Sequence, residues 1–317
     1  MDEVLVGEFE KREIRAQIDR ILRDLGRPEP PLYLPDVRAL LSLDLQYYSS
    51  SDPGLVTELG HRFKLLARKT LPDLGKHLLG ALAKSRLCAF WVPESSRILI
   101  DSSVPERKHR WIEGHEITHS VTIWHKHYLL GDNSQTLDPQ CHAVLEAEAN
   151  YGAGRLLFLQ DQFSRDAQDL PLSFNSITQL SKRYGNSIVS TFWRTVEERD
   201  PGLPVFGIIS VHPLHLTIGR HDGPEPWRYF IRSPTFRTQF TAVSPSDAYN
   251  LVTRAATNRK TGPVGVADGI LPDANGDSWE FRIESFSTGH ALLTLGVAER
   301  RRPVVVTAGL IGQRRPE

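Results

Sequence analysis

The sequence predicts an α+β protein: a mainly helical N-terminal part with a small sheet, a helical connector, and a mixed α/β C-terminal part. Three observations predict it. The chain has 317 residues, which favours two domains over one. Apolar residues recur at helical spacing over much of the chain up to residue 200, with a few short strand-like runs between. After Asp200-Pro201-Gly202 the texture changes to short β-type runs. The expected divisions are 1–170, 171–200 and 201–317.

Residues 8–26 read as a helix, with Ile14, Ile18, Ile21, Leu22 and Leu25 on one face. Gly26 followed by Pro28, Pro30 and Pro31 stops it. A short helix over Val37–Leu43 and a strand over Leu45–Tyr48 follow, then helical stretches near 55–66 and 72–82. Leu87–Val92 and Arg97–Asp101 read as strands, joined by a hairpin turn over 93–96. Ser103 and Glu106 have the spacing of a capping box, with Pro105 in the first turn, so a helix should run from there to about Trp124. A polar loop spans 130–137, and Asp138-Pro139 opens a helix to about Gln160. Residues 173–199 read as two helices meeting near Gly185. The C-terminal runs are Pro204–Val211, Arg228–Arg232, Ser278–Ser285, Ala291–Val297 and Pro303–Leu310, with one helix over 246–257.

Composition narrows the partners. Lys+Arg and Asp+Glu are both 38, so the chain as a whole has no attraction for nucleic acid or an acidic membrane. Hydrophobic residues make up 40%, enough for a packed core. The N-terminal stretch is charged throughout and lacks the apolar centre of a signal peptide. The uncharged run from Gly202 to Gly219 is broken by Pro204 and Pro213 and reads as two strands rather than a membrane span. The two cysteines, Cys88 and Cys141, read as reduced thiols. A soluble cytoplasmic protein is expected, with no membrane partner.

His115-Glu116-Ile117-Thr118-His119 is an HExxH motif. On a helix, residues four apart lie one turn above each other, so the two imidazoles can bind one Zn²⁺. Glu116 is then placed to act as general base on a metal-bound water. With 12 His in 317 residues, chance gives roughly 0.03 such motifs. A catalytic zinc usually takes a third protein ligand. His125 lies six residues after His119, but that arrangement needs a sharp turn, usually supplied by Gly, where this chain has Thr122. The other candidate is Glu146, which shares a helix face with Asn150. One of that pair can bind the metal while the other hydrogen-bonds a ligand from outside. Glu148 lies two residues on and points elsewhere. Gly114 and the small residues Ala143, Ala147, Ala149, Gly152, Ala153 and Gly154 would let the two helices come close enough to share an ion. Glu146 is therefore preferred to His125. Zinc is the default, and Mn²⁺ or Fe²⁺ suits the same N/O donors. His142, one turn before Glu146, is a weaker candidate to face the site.

In order, Arg97–Asp101, Arg110-Trp111 before His115–His119, and Glu146-Ala-Glu-Ala-Asn150 resemble the ImmA/IrrE metallopeptidases. The resemblance covers roughly residues 10–200. It implies a zincin-like N-terminal domain, with His115, His119 and Glu146 as metal ligands and Glu116 as catalytic base. It also implies a cytosolic endopeptidase that cleaves a helix–turn–helix transcriptional repressor and so relieves repression under stress or in mobile elements. Members of the IrrE type carry a C-terminal sensor-like domain resembling GAF, and residues 203–317 could be one. This chain departs from the family at Gly114, where Ala is common, and at Ile123, where many members have His. It departs again at Phe158-Leu159, where Met-Pro is frequent.

Other signals are weaker. Residues 177–196 could form a DNA-binding helix–turn–helix, yet their modest charge favours a packed helical pair, so DNA contact is not favoured. Asp273-Ala-Asn-Gly-Asp277 faintly resembles a calcium loop but reads better as a hairpin turn. His212, His215 and His221 are taken as ordinary histidines. The leading expectation is a zinc endopeptidase acting on a regulatory protein. The alternative is a metal-containing regulator without catalysis that binds protein or DNA.

Overall fold

The computed structural model describes residues 6–49, 89–92, 95–125 and 139–302. The helices expected near 55–66 and 72–82, the loop 130–137, the Asp138 cap, the strand 303–310 and Cys88 lie outside them, as do the side chains of Cys141 and His142. Among the described residues the fold is mixed α+β with two sheets. The chain divides into two compact units. One comprises 1–166 with 179–190, the other 167–178 with 191–317.

The first unit opens with α1 (Glu8–Asp24), which buries Ile14, Ile18, Ile21 and Leu22, the face expected from their spacing. Gly26 then takes a left-handed φ of 73° and ends the helix. α2 (Leu34–Leu41) begins earlier than expected and leads to β1 (Asp44–Tyr48). β2 (Ala89–Val92) pairs antiparallel with β3 (Arg97–Asp101), and β1 lies parallel to β3 on its other side, giving the order β1-β3-β2. β3 is the central strand, and Ile98, Leu99 and Ile100 are buried accordingly.

α3 (Glu106–Val121) and α4 (Pro139–Leu157) carry the motifs and pack against each other. α3 also lies against β2 and β3, and α1 against α4. The expected capping box does not form: Pro105 is the N-cap of α3 and no side chain caps it. Asp101 instead accepts the Ser103 N–H at 2.8 Å, shaping the turn from β3 into α3. Arg110 holds this corner, donating to Leu32 O at 2.8 Å, Tyr184 O at 3.3 Å and Asn186 Oδ1 at 3.2 Å. Arg38 donates to Glu113 at 2.7 Å and fixes α2 on α3. α4 stops at Leu157, short of the expected Gln160, because Leu159 and Gln160 take left-handed φ values of 54° and 56°.

Glycines set the α3–α4 distance. A Cβ on Gly152 would collide with the Thr118 methyl and come within 3.0 Å of Ile14, and one on Gly114 would meet Leu157 at 3.1 Å. Thr118 is held by its own bond to Gly114 O at 2.9 Å. Gly152→Val is therefore expected to destabilise the fold by about 1–3 kcal/mol through overpacking. Urea unfolding would read this, and an unchanged midpoint would mean that the helices separate at no cost.

The helical pair α6 (Phe174–Tyr184) and α7 (Ile188–Glu198) follows the short α5 (Gln162–Gln168), and Gly185 turns between them with φ 63°. The second unit is built on a five-stranded antiparallel sheet, order β5-β4-β8-β7-β6. Its strands are β4 (Val205–Ser210), β5 (Trp227–Arg232), β6 (Gly262–Pro272), β7 (Ser278–Ser287) and β8 (Leu292–Arg301). α8 (Pro234–Gln239) and α9 (Pro245–Ala255) accompany it, and Ala248, Leu251 and Val252 of α9 join Phe206, Phe236, Phe240 and Phe281 in one core. A capping box between Ser244 and Asp247 starts α9. The Asp273 loop is the β6–β7 turn. Its Oδ1 accepts N–H groups from Asn275 at 2.9 Å and Asp277 at 3.0 Å, and Oδ2 accepts Trp279 Nε1–H at 3.0 Å. No helix among the described residues is long and apolar enough to cross a membrane.

Candidate metal centre

α3 presents His115 and His119 one turn apart, and α4 brings Glu146 to them. These three are the one group among the described residues that could hold a metal ion, with ligand-type atoms all within 4.8 Å of one another. His115 Nε2 and His119 Nε2 are 3.1 Å apart. Glu146 Oε2 lies 3.2 Å from His115 Nε2, and its Oε1 lies 3.6 Å from His119 Nε2. Two bonds of about 2.0–2.1 Å at a tetrahedral angle span about 3.3 Å, so these separations suit a shared divalent ion. The Glu146 side chain is 42% exposed, which leaves the centre open to solvent.

The outer nitrogens of both rings have partners. His115 Nδ1 faces Asn150 Oδ1 at 3.1 Å, so its N–H donates there and Nε2 carries the free lone pair. His119 Nδ1 faces His125 Nδ1 at 2.9 Å. The donor set therefore fits a metal: two imidazole lone pairs and one carboxylate point inward.

Electrostatics agree with that grouping. Burial raises the Glu146 carboxyl, but hydrogen bonds from His115 and His119 and their charge outweigh it and hold it well below the usual carboxylate range. For His115, burial opposes protonation, but Glu146, Glu116 and Asn150 raise it overall. His119 is lowered, mainly by burial, with the charges of His115 and His125 adding to it. Glu116 is pushed up to about 7, first by burial and further by the Glu146 carboxylate, against the pull of His115 and a backbone hydrogen bond from Trp91. Glu116 is thus a buried carboxyl poised near neutrality beside the three candidate ligands.

His125 lies close to the centre, contrary to what a continuing helix would give. α3 ends at Thr122, whose φ of −84° and ψ of 105° are extended and require no glycine. Its hydroxyl bonds Thr118 O at 2.8 Å, and a short turn closes with His125 N–H on Thr122 O at 3.0 Å. This turn brings His125 onto the outer edge of His119, facing Nδ1 rather than Nε2, so it is not a member of the candidate ligand group. Glu148 points away from the centre but is far from idle. It is 2% exposed and accepts from Trp124 Nε1 at 2.6 Å and meets His125 Nε2 at 2.7 Å. Nothing in the local sequence marks Thr122 as a helix end. Ile123, at the departure from the family pattern, is 65% exposed.

In the second unit the rings of His212 and His215 lie 4.8 Å apart, but they join no metal-type group among the described residues. His212 Nε2 meets Arg259 O at 3.1 Å and its Nδ1 accepts Leu214 N–H at 3.1 Å, while His215 Nε2 meets Asn258 O at 3.1 Å.

Fold and site together describe an α+β chain of two compact units, with a candidate metal centre of two histidines and one glutamate. No family model matches the chain, and no curated protein matches it. Among solved structures, a Mycobacterium tuberculosis transcriptional regulator is similar in fold, with a TM-score of 0.50 and 11% identity over 90% of this chain and 87% of that one.

Proposed function

We propose that this chain is a zinc-dependent endopeptidase that hydrolyses a peptide bond in a regulatory protein, with Glu116 as general base. One observation carries the reading: a buried carboxyl pushed up to about 7 adjoins two imidazoles and a carboxylate set for one ion. His115, His119 and Glu146 would hold the ion; zinc is the default for these donors, and manganese or iron(II) suits them too. A divalent ion there lowers the pKa of a coordinated water and polarises the scissile carbonyl. Glu116 takes the proton of the attacking water and delivers it to the leaving nitrogen. Asn150 keeps the His115 ring turned inward.

The motif order resembles the ImmA/IrrE metallopeptidases, which points to a helix–turn–helix repressor as the protein cut. A solved chain of similar fold is named a transcriptional regulator, which suits a regulatory role. The same similarity favours the alternative, a metal-containing regulator that binds protein or DNA without cutting.

The test compares protein N-termini in cells expressing the chain or its Glu116→Gln variant. New N-termini that need Glu116 and vanish with a chelator support the hydrolase. Identical sets overturn it and leave the regulator.

The acid side of the rate profile follows from Glu116. A base must be ionised, so cleavage should fall as pH drops through its pKa, at or below about 7 because a bound cation lowers it. A kcat/KM that climbs from about pH 8 to about pH 5 would remove Glu116 from this role.

A further inference from the structure

We propose that His125 and Glu148 form a buried relay that orients His119 and fixes which of its nitrogens faces the metal. This rests on the metal-centre reading above. His119 presents Nε2 to Glu146 and His115, and its Nδ1 lies 2.9 Å from His125 Nδ1. With the Nε2 lone pair directed inward, the His119 proton sits on Nδ1 and is donated to His125 Nδ1. His125 then carries its own proton on Nε2 and donates it to Glu148 Oε2, 2.7 Å away. Trp124 Nε1, which can only donate, reaches the same oxygen at 2.6 Å. Every donor thus runs in one direction, from the ligand toward the carboxylate.

Burial makes this order strict. His125 is 0% and Glu148 2% exposed, so water cannot substitute for a lost partner. His115 has only a neutral amide, Asn150, in the corresponding place. The two ligands are therefore supported differently: the relay behind His119 ends in a carboxylate, the partner behind His115 in an amide. His125 and Glu148 are positioning residues: they act through His119.

The experiment measures zinc affinity by chelator competition, together with the tautomers of His119 and His125 by long-range ¹H–¹⁵N correlation in the zinc-loaded full chain. The variants are His125→Phe, His125→Gln, Glu148→Gln and Glu146→Ala. The relay predicts Nδ1–H on His119 and Nε2–H on His125 in the unaltered chain. It predicts zinc affinity about 10–100-fold weaker in His125→Phe. His125→Gln, which can accept from His119 and donate to Glu148, should recover part of that loss, and Glu148→Gln should fall between. A merely structural tie would lower the melting temperature with and without zinc alike, leaving affinity in the folded protein unchanged. Unchanged affinity in His125→Phe and Glu148→Gln, alongside zinc loss in Glu146→Ala, overturns the relay alone. Zinc affinity indifferent to Glu146→Ala overturns the centre, and the relay with it.

Discussion

Glu116→Gln is expected to bind zinc as the unaltered chain does and to lose about 10²–10⁴-fold in hydrolysis. Gln keeps the size and the hydrogen-bonding capacity of Glu, so the buried site of residue 116 should keep its packing. What disappears is the buried carboxyl beside the ligands, pushed up to about 7 and able to take up the proton. A second consequence has the opposite sign. A carboxyl whose folded pKa is raised favours the fold below its unfolded value, and that contribution is lost as pH rises through about 7. Gln has no such dependence, so above neutrality the metal-free variant should be the more stable, by a few kcal/mol at most. Activity assays on a cleaved protein and denaturant titrations at two pH values read the two effects. Full cleavage by the variant would place the base elsewhere.

Glu146→Ala should cost zinc affinity well beyond the roughly 10–100-fold attributed to outer partners, because it removes a direct ligand. The carboxylate is also the group that both imidazole Nε2 atoms approach, at 3.2 and 3.6 Å. Without it the two rings face each other with no anion between them, and protonation of one ring becomes harder. The loss should appear in competition titrations and in the zinc-induced rise of the melting temperature, which shrinks as Kd grows. Asn150→Ala should show the smaller, outer-partner effect, since it touches His115 through Nδ1 alone. Equal losses in the two variants would contradict the assignment of roles.

The triad was legible because helix geometry makes it so. His115 and His119 are four apart, Glu146 and Asn150 are four apart, and each pair shares a face wherever a helix forms. Gly152 announced the close approach of the two helices, and the Thr118 contact explains it. The helix end at Thr122 was not legible. An extended φ suits any residue, so no glycine marks it, and the placement of His125 beside His119 depends on that unmarked turn. In the second unit β6 was missed. Pro263, Gly265 and Gly269 interrupt its run and weaken it as an isolated strand, yet β7 supplies ten-residue pairing. A Cβ on Gly269 would come within 2.8 Å of the Leu251 side chain, so the glycine leaves room for α9 on the sheet. α8 escaped notice because its six residues are too few to show a period.

Zinc K-edge X-ray absorption on the loaded protein reads whether these side chains share one ion. Expected is a four-coordinate ion bound by two imidazoles with oxygen donors and no sulfur, and loss of the two-imidazole signature when His119 is replaced. A sulfur ligand, or a spectrum that His119→Ala leaves unchanged, would contradict it.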